Sequence, residues 1–169
     1  MTGSGFDPVR KLSAADAVDA YDCGEPALNQ FLQRYAYVSQ KANSAQTYVC
    51  CRQGAVVGFY SLAVGSVDPG FAPPRVMKGL ARHPVPVMIL ARLAVDQAHQ
   101  RAGLGQALLK DALLRTAQAA DIAGIRALLV HAKDERARQW YESWEFESSP
   151  VDDYLLFLML KDLKALLGR

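Results

Sequence analysis

Apolar positions along the chain change their spacing several times, and each change predicts an element. Residues 85–95 form a nearly unbroken apolar run that stops at Asp96. A polar connector ends in Gln100-Arg101-Ala102-Gly103-Leu104-Gly105, and an apolar-periodic segment continues to about Ala120. This order predicts strand, glycine-containing turn, helix.

Upstream, residues 9–12 read as a short strand and 13–22 as a polar connector. Asp22-Cys23-Gly24-Glu25-Pro26 is a helix start, with proline tolerated and glutamate favourable in the first turn. Leu28, Phe31, Leu32 and Tyr35 then give one apolar face, predicting a helix over residues 25–39. Residues 47–52 and 55–67 are β-rich and meet at Gln53-Gly54, a hairpin turn between antiparallel neighbours. Asp68-Pro69-Gly70 and Pro73-Pro74 break the pattern, and a loop is expected as far as His83 and Pro84.

Downstream, residues 125–130 read as a buried strand ending at His131. Residues 134–144 form a helix carrying Ala137, Trp140 and Tyr141, 154–160 a last strand, and 161–167 a terminal helix. The sum is an α/β fold, a mixed and mainly antiparallel sheet flanked by helices, in a single domain over residues 1–169.

Composition narrows the class. At 169 residues, 51% apolar and 21% charged, the chain can bury one substantial core without disulfides or metals. The first residues lack the apolar stretch of a secretory leader and no segment has the length of a membrane span, so a cytoplasmic protein is expected. Cys23, Cys50 and Cys51 are odd in number, without zinc-type spacing, and read as free thiols. The net charge of +2 becomes informative only when located. Between Pro69 and Arg115 stand Arg75, Lys78, Arg82, Arg92, Arg101, Lys110 and Arg115, against Asp96 and Asp111 alone.

The turn carries the first chemical signal. Gly103 and Gly105 let backbone approach a ligand closely, and the first amides of the following helix lack internal partners. Such amides, with the positive end of the helix dipole, suit a phosphate. The third glycine of the dinucleotide fingerprint is missing, as is the Gly-Lys-Ser/Thr of a P-loop.

Gln100-Arg101-Ala102-Gly103-Leu104-Gly105 resembles the acetyl-CoA signature of GNAT-type N-acetyltransferases, Q/R-x-x-G-x-G/A. The resemblance implies that Leu93, Ala94 and Val95 lie along the pantetheine arm. It also implies that Gln100, Arg101, Ala102, Gly103, Leu104 and Gly105 serve the pyrophosphate. Ala137-Arg138-Gln139-Trp140-Tyr141 with Phe146 is similar to the family's A-R-x-x-Y-x-x-x-G-F, which makes Arg138 a cofactor contact and Tyr141 the general acid at the CoA sulfur. Glu145 stands where the family has glycine, in a left-handed position costing roughly 1–2 kcal/mol to any other residue. A tyrosine here also serves simply to pack on a sheet, and the alternative stands open on residues alone.

The text around both motifs, over about residues 12–163, resembles one branch, the acetyltransferase toxins paired with ribbon-helix-helix antitoxins. That resemblance implies an acetyl-CoA-dependent enzyme that acetylates the α-amine of aminoacyl groups on charged tRNA and blocks translation. It further implies a homodimer, and contact with operator DNA only through the antitoxin complex. Arg75, Lys78, Arg82 and Arg92 would then form a track for the tRNA backbone, where composition alone reads a solvated basic face.

The strand before the signature has no carboxylate to act as base. A lysine of pKa ~10.4 is less than about a thousandth neutral at pH 7, whereas an α-amine at ~7.7–8.0 is about a tenth neutral and needs no strong base. His83, His99 and His131 remain as candidates. Two other readings compete: acetylation of a small amine or protein N-terminus, independent of the basic residues, and a non-catalytic acyl-CoA-binding module. No metal site is expected.

Overall fold

The computed structural model describes residues 5–80 and 83–168. Its strands are β1 (Arg10–Lys11), β2 (Gln46–Arg52), β3 (Ala55–Val67), β4 (Val85–Val95), β5 (Ala127–His131), β6 (Glu147–Ser148) and β7 (Leu155–Met159), ordered β1-β2-β3-β4-β5-β7-β6. The pairs β1–β2, β2–β3, β5–β7 and β6–β7 are antiparallel and β4–β5 is parallel, giving the mixed, mainly antiparallel sheet expected. The helices are α1 (Pro26–Gln30), α2 (Ala36–Lys41), α3 (Pro74–Met77), α4 (Leu104–Ala120), α5 (Glu135–Glu142) and α6 (Leu160–Leu167). The chain divides into two compact units, Met1–Ala63 with Ala91–Ala112 and Val64–Leu90 with Leu113–Arg169.

In the first unit, β2 and β3 turn back through Gln53 (φ 52°) and Gly54 (φ 83°), the two left-handed residues that a tight hairpin needs. The expected single helix over 25–39 is interrupted by a π-helical segment, Phe31–Tyr35. There the Ala36 N–H donates to Phe31 O, five residues back, so one extra residue enters the turn. The apolar face consequently shifts by one position. Ala36 is fully buried, while Tyr35, expected on that face, is 53% exposed. Phe31, Leu32 and Ala36 join Leu12, Tyr21, Val49, Cys51, Val56, Phe59 and Ala94 in one core.

The first half of α4 lies on this unit through Leu104, Leu108 and Leu109, all buried. Its approach to β3 is close at Gly58, where a Cβ would stand 3.0 Å from Leu108 Cδ1. One turn on, the Tyr60 hydroxyl donates to Asp111 Oδ2 at 2.5 Å, a charge-assisted bond beneath the helix.

In the second unit, Val87–Leu90 of β4 run parallel to Ala127–Val130 of β5, and β5 pairs in turn with β7. Val76, Val85, Val87, Ala127, Leu129 and Phe157 form the core. Full burial of a side chain such as Phe157 contributes about 1.5–3 kcal/mol.

The expectation of a structureless loop from Asp68 is corrected here. Pro69–Phe71 form a 3-10 turn and Pro74–Met77 a short helix, each with proline in its first turn. Ala72 and Val76 bury themselves in the core, and Arg126 donates to Val76 O (2.8 Å) and Lys78 O (2.7 Å), satisfying carbonyls at the end of α3. Among the described residues no helix is long and apolar enough to cross a membrane. All three cysteines are free and buried.

Candidate active site

The connector after β4 is braced from both sides. Asp96 caps its short 3-10 turn, accepting from the Ala98 N–H at 2.9 Å through Oδ1 and from the Asp22 N–H at 3.0 Å through Oδ2. Gln97 N–H returns a bond to Asp22 O at 2.9 Å, and Gln100 Nε2 donates to Val95 O at 3.0 Å. His99 stands with Nδ1 3.5 Å from Asp96 Oδ1 and its ring edge-on to Phe6 at 5.8 Å. Asp96 thus holds the loop, and the Gln100 side chain is engaged with the strand end.

Beyond this brace the backbone turns left-handed at Arg101 (φ 68°) and again at Gly103 (φ 83°). The first bond of the following helix runs from Ala107 N–H to Gly103 O at 3.1 Å, so the amides of Leu104, Gly105 and Gln106 precede the ladder. Buried Leu104 pins the turn to the core, while Arg101, Ala102 and Gly103 are exposed. A Cβ on Gly103 would meet nothing within 4 Å, so the turn is open on that side. Anionic phosphate fits there, drawn by the unpaired amides and the helix dipole.

The strand leading into this loop continues past its parallel partner. The β4–β5 register ends at Leu90 and Val130, leaving Ala91–Val95 beyond it. Leu93 and Val95 are half-buried and Ala94 is buried. Arg92 lies with its guanidinium carbon 3.6 Å from the centroid of the Phe31 ring, which itself stacks on Phe59 at 6.2 Å. Burial lowers the pKa of Arg92 from the usual arginine value, and among the described residues no carboxylate pairs with it.

Tyr141 belongs to the second unit. Asp134 caps α5 by accepting from the Ala137 N–H at 2.8 Å. At the other end, Phe146 N–H donates to Tyr141 O at 3.3 Å and Glu145 N–H to Glu142 O at 2.9 Å, the paired bonds of a Schellman closure. Glu145 takes the left-handed position, φ 71°, so the helix ends as it would with glycine there. The Tyr141 ring meets Trp140 at 5.0 Å and Phe146 at 5.3 Å, both edge to face, and is 8% exposed. Burial drives the phenol pKa well above its ordinary value, keeping the hydroxyl protonated. Among the described residues that hydroxyl has no hydrogen-bond partner.

Two expected contacts already have partners of their own in space. Arg138 is bound on its own helix, by Glu135 at 2.5 Å and Glu142 at 2.6 Å, so its charge is matched before any cofactor arrives. Arg75 lies 3.0 Å from Glu147 and 3.0 Å from Asp162. The stretch around it lacks acids along the chain, but the fold supplies them from two later elements. Arg82 lies outside the described residues, and Lys78 is exposed at the end of α3. Sequence reasoning missed the Asp22–Asp96 brace, although an aspartate directly after a strand is a capping signal. His131 Nε2, 3.8 Å from Asp152, and His83 are exposed.

The first unit thus carries a strand end beyond its parallel partner and a glycine turn ahead of a helix, and the second unit carries a buried, protonated phenol. Residues 43–148 match the family described as Acetyltransferase (GNAT) domain. The chain belongs to that family and is an acetyl-CoA-dependent N-acetyltransferase.

It is 46% identical over 165 residues to a tRNA-acetylating toxin of Mycobacterium tuberculosis, covering 98% of this chain and 99% of the relative. Among solved structures it resembles AtaT complexed with acetyl-methionyl-tRNAfMet, at a TM-score of 0.88 and 27% identity, over 95% of this chain and 98% of that one. It also resembles a tyrosine-to-phenylalanine mutant of AtaT bound to the C-terminus of the antitoxin AtaR and acetyl-CoA. That match has a TM-score of 0.82 and 26% identity over 98% and 99% of the chains.

Proposed function

We propose that this enzyme acetylates the α-amine of aminoacyl groups on charged tRNA, withdrawing them from translation, and that it is the toxin of a toxin-antitoxin pair. The observation that carries the reading is the 46% identity, extending over 98% of the chain, to a protein named for tRNA acetylation. Residues 1–169 act as one catalytic domain, the family match running through 43–148.

Acetyl-CoA would supply the acetyl group: the amine nitrogen forms a bond to the carbonyl carbon as the C–S bond breaks, the nitrogen gives up a proton, and CoA leaves as the free thiol after gaining one. The amides of Leu104 and Gly105, with Gly103 giving access, bind its pyrophosphate, and Arg101 adds a cation at the same turn. Gln100 and Ala102 shape that turn, Gln100 through its bond to Val95. Leu93, Ala94 and Val95 offer the open strand edge to the pantetheine amides. Tyr141 donates its hydrogen bond to the sulfur as negative charge develops there, and its raised pKa keeps the donor in place across the working range. The acceptor amine is neutral in a sufficient fraction at neutral pH to react without a strong base.

Arg92 and Lys78 are the cations we assign to the tRNA backbone, with Arg82 from the same basic run. Arg75, paired with Glu147 and Asp162, and Arg138, paired with Glu135 and Glu142, instead hold their own elements. The partner is a ribbon-helix-helix antitoxin, through which a homodimer of this chain meets operator DNA in the cytoplasm.

The direct test incubates purified protein with labelled acetyl-CoA and charged tRNA. Label should enter RNA only when the tRNA carries an amino acid and should leave with it on mild alkaline deacylation. Label on uncharged tRNA, or none on charged tRNA, rejects the reading.

A further inference from the structure

The substrate just proposed imposes a distance requirement. In a charged tRNA the α-nitrogen is joined to the glycosidic nitrogen of the terminal adenosine through about seven bonds of roughly 1.5 Å, spanning about 9 Å at full extension. With the amine at the reaction centre beside Tyr141, that adenine falls in the immediate surroundings of the same tyrosine. The coenzyme's own adenine lies at the far end of the pantetheine arm, beyond the pyrophosphate.

Two indoles occupy those surroundings. Trp140 meets Tyr141 edge to face at 5.0 Å, and Trp144, one turn further, meets Trp140 at 6.3 Å and 61°. Both stay half-buried, in contrast to Phe146 at 3% exposed. Their backbone is fixed, Trp144 N–H donating to Tyr141 O at 2.9 Å just before the helix closes. In an edge-to-face pair the partner covers at most one face of one ring, and these half-buried indoles keep ring surface in reach of solvent, the kind of surface on which a nucleobase stacks.

We infer that Trp140 and Trp144 form a stacking platform for the terminal adenine of the charged tRNA, an inference resting on the tRNA reading above. The platform makes the enzyme recognise the end of the acceptor strand as well as the amino acid it bears.

The test uses the full-length protein with Trp144→Ala and Trp144→Phe, because Trp144 touches Trp140 and not the Tyr141 ring. KM should be measured for charged tRNA and for a free aminoacyl amide, together with acetyl-CoA affinity. Trp144→Ala should raise the KM for charged tRNA by about tenfold or more, the effect of losing a base–aromatic stack, and Trp144→Phe should restore most of it. The aminoacyl amide and acetyl-CoA should change by less than about twofold, since neither carries that base to the platform. Charged tRNA ending in 2-aminopurine should lose fluorescence on binding wild type and keep it with Trp144→Ala.

An unchanged KM for charged tRNA in Trp144→Ala overturns the platform. So does an equal loss on the amide, which would mean damage around Tyr141, or a loss confined to acetyl-CoA. Wild-type protein that acetylates the amide and never charged tRNA would instead overturn the tRNA reading, and the platform with it.

Discussion

Phe146 closes the helix that carries Tyr141 and also touches its ring: the Phe146 N–H donates to Tyr141 O at 3.3 Å, and the two rings meet at 5.3 Å. Helix termination and placement of the phenol are therefore one event. Glu145 sits between them in the left-handed region at φ 71°, a conformation that suits glycine. Glu145→Gly should raise stability by about 1 kcal/mol with turnover unchanged. Thermal unfolding and steady-state assays check both parts, and a fall in melting temperature would show that the Glu145 side chain outweighs its backbone strain.

Tyr141→Phe removes the hydroxyl while keeping the ring contacts with Trp140 and Phe146. Turnover should drop by roughly 10² to 10⁴, the span for losing a general acid, at unchanged acetyl-CoA affinity. A variant within a few-fold of wild type would take Tyr141 out of the mechanism.

Gly103→Asp attacks the other half of the chemistry. The aspartate must adopt φ near 83° and brings a carboxylate to the amides ahead of α4. Acetyl-CoA binding by calorimetry should vanish, through strain and repulsion together. Retained affinity would place the pyrophosphate elsewhere.

Electrostatic contact with tRNA should show in the salt dependence. Each phosphate neutralised adds close to one unit to the slope of log affinity against log salt, so Lys78→Glu with Arg92→Glu should flatten it by about two units. Acetyl-CoA affinity should hold. Arg75→Glu serves as a contrast, expected to lower stability by breaking its pairs with Glu147 and Asp162 while leaving the slope nearly unchanged. An unaltered slope in the double variant would return these cations to a solvated surface.

The pH profile follows from the two proton-bearing groups. Below the amine pKa of ~8, kcat/KM on charged tRNA should rise about tenfold per unit as the reactive neutral amine accumulates, then level. Burial raises the pKa of Tyr141, so no alkaline limb should appear before about pH 9.5, where an unshifted phenol would begin to ionise. The same upward shift favours the fold below the unfolded phenol value of ~10 and is lost above it, so stability should be followed in parallel. A decline between pH 8 and 9 would point to a different acid.

The segment from Val85 to Ala120 was the most legible part of the chain, because its apolar run, glycines and helical period are all local signals. The π segment was not, since one inserted residue leaves the spacing of Leu28, Phe31 and Leu32 intact and only displaces Tyr35 in favour of Ala36. Glu147–Ser148 is too short a strand to show alternation. The pairing of Arg75 depends on residues 72 and 87 positions away, which no local pattern reports. Conversely, the mismatch at Glu145 was visible as a departure from glycine, and the backbone meets it by keeping glycine's conformation.

Cys50 and Cys51 adjoin a bulge where β2 slips against β3, both buried, with the Cys50 thiol pushed up to about 11. At pH 8 only about a thousandth of that sulfur is the nucleophilic thiolate, and a reagent must first open the strand to reach it. Reaction of Cys50 with a thiol label therefore clocks how often the hairpin opens, at the rate of the opening itself once reagent captures the open strand faster than it recloses. The chain thus carries a built-in stopwatch for its own local unfolding.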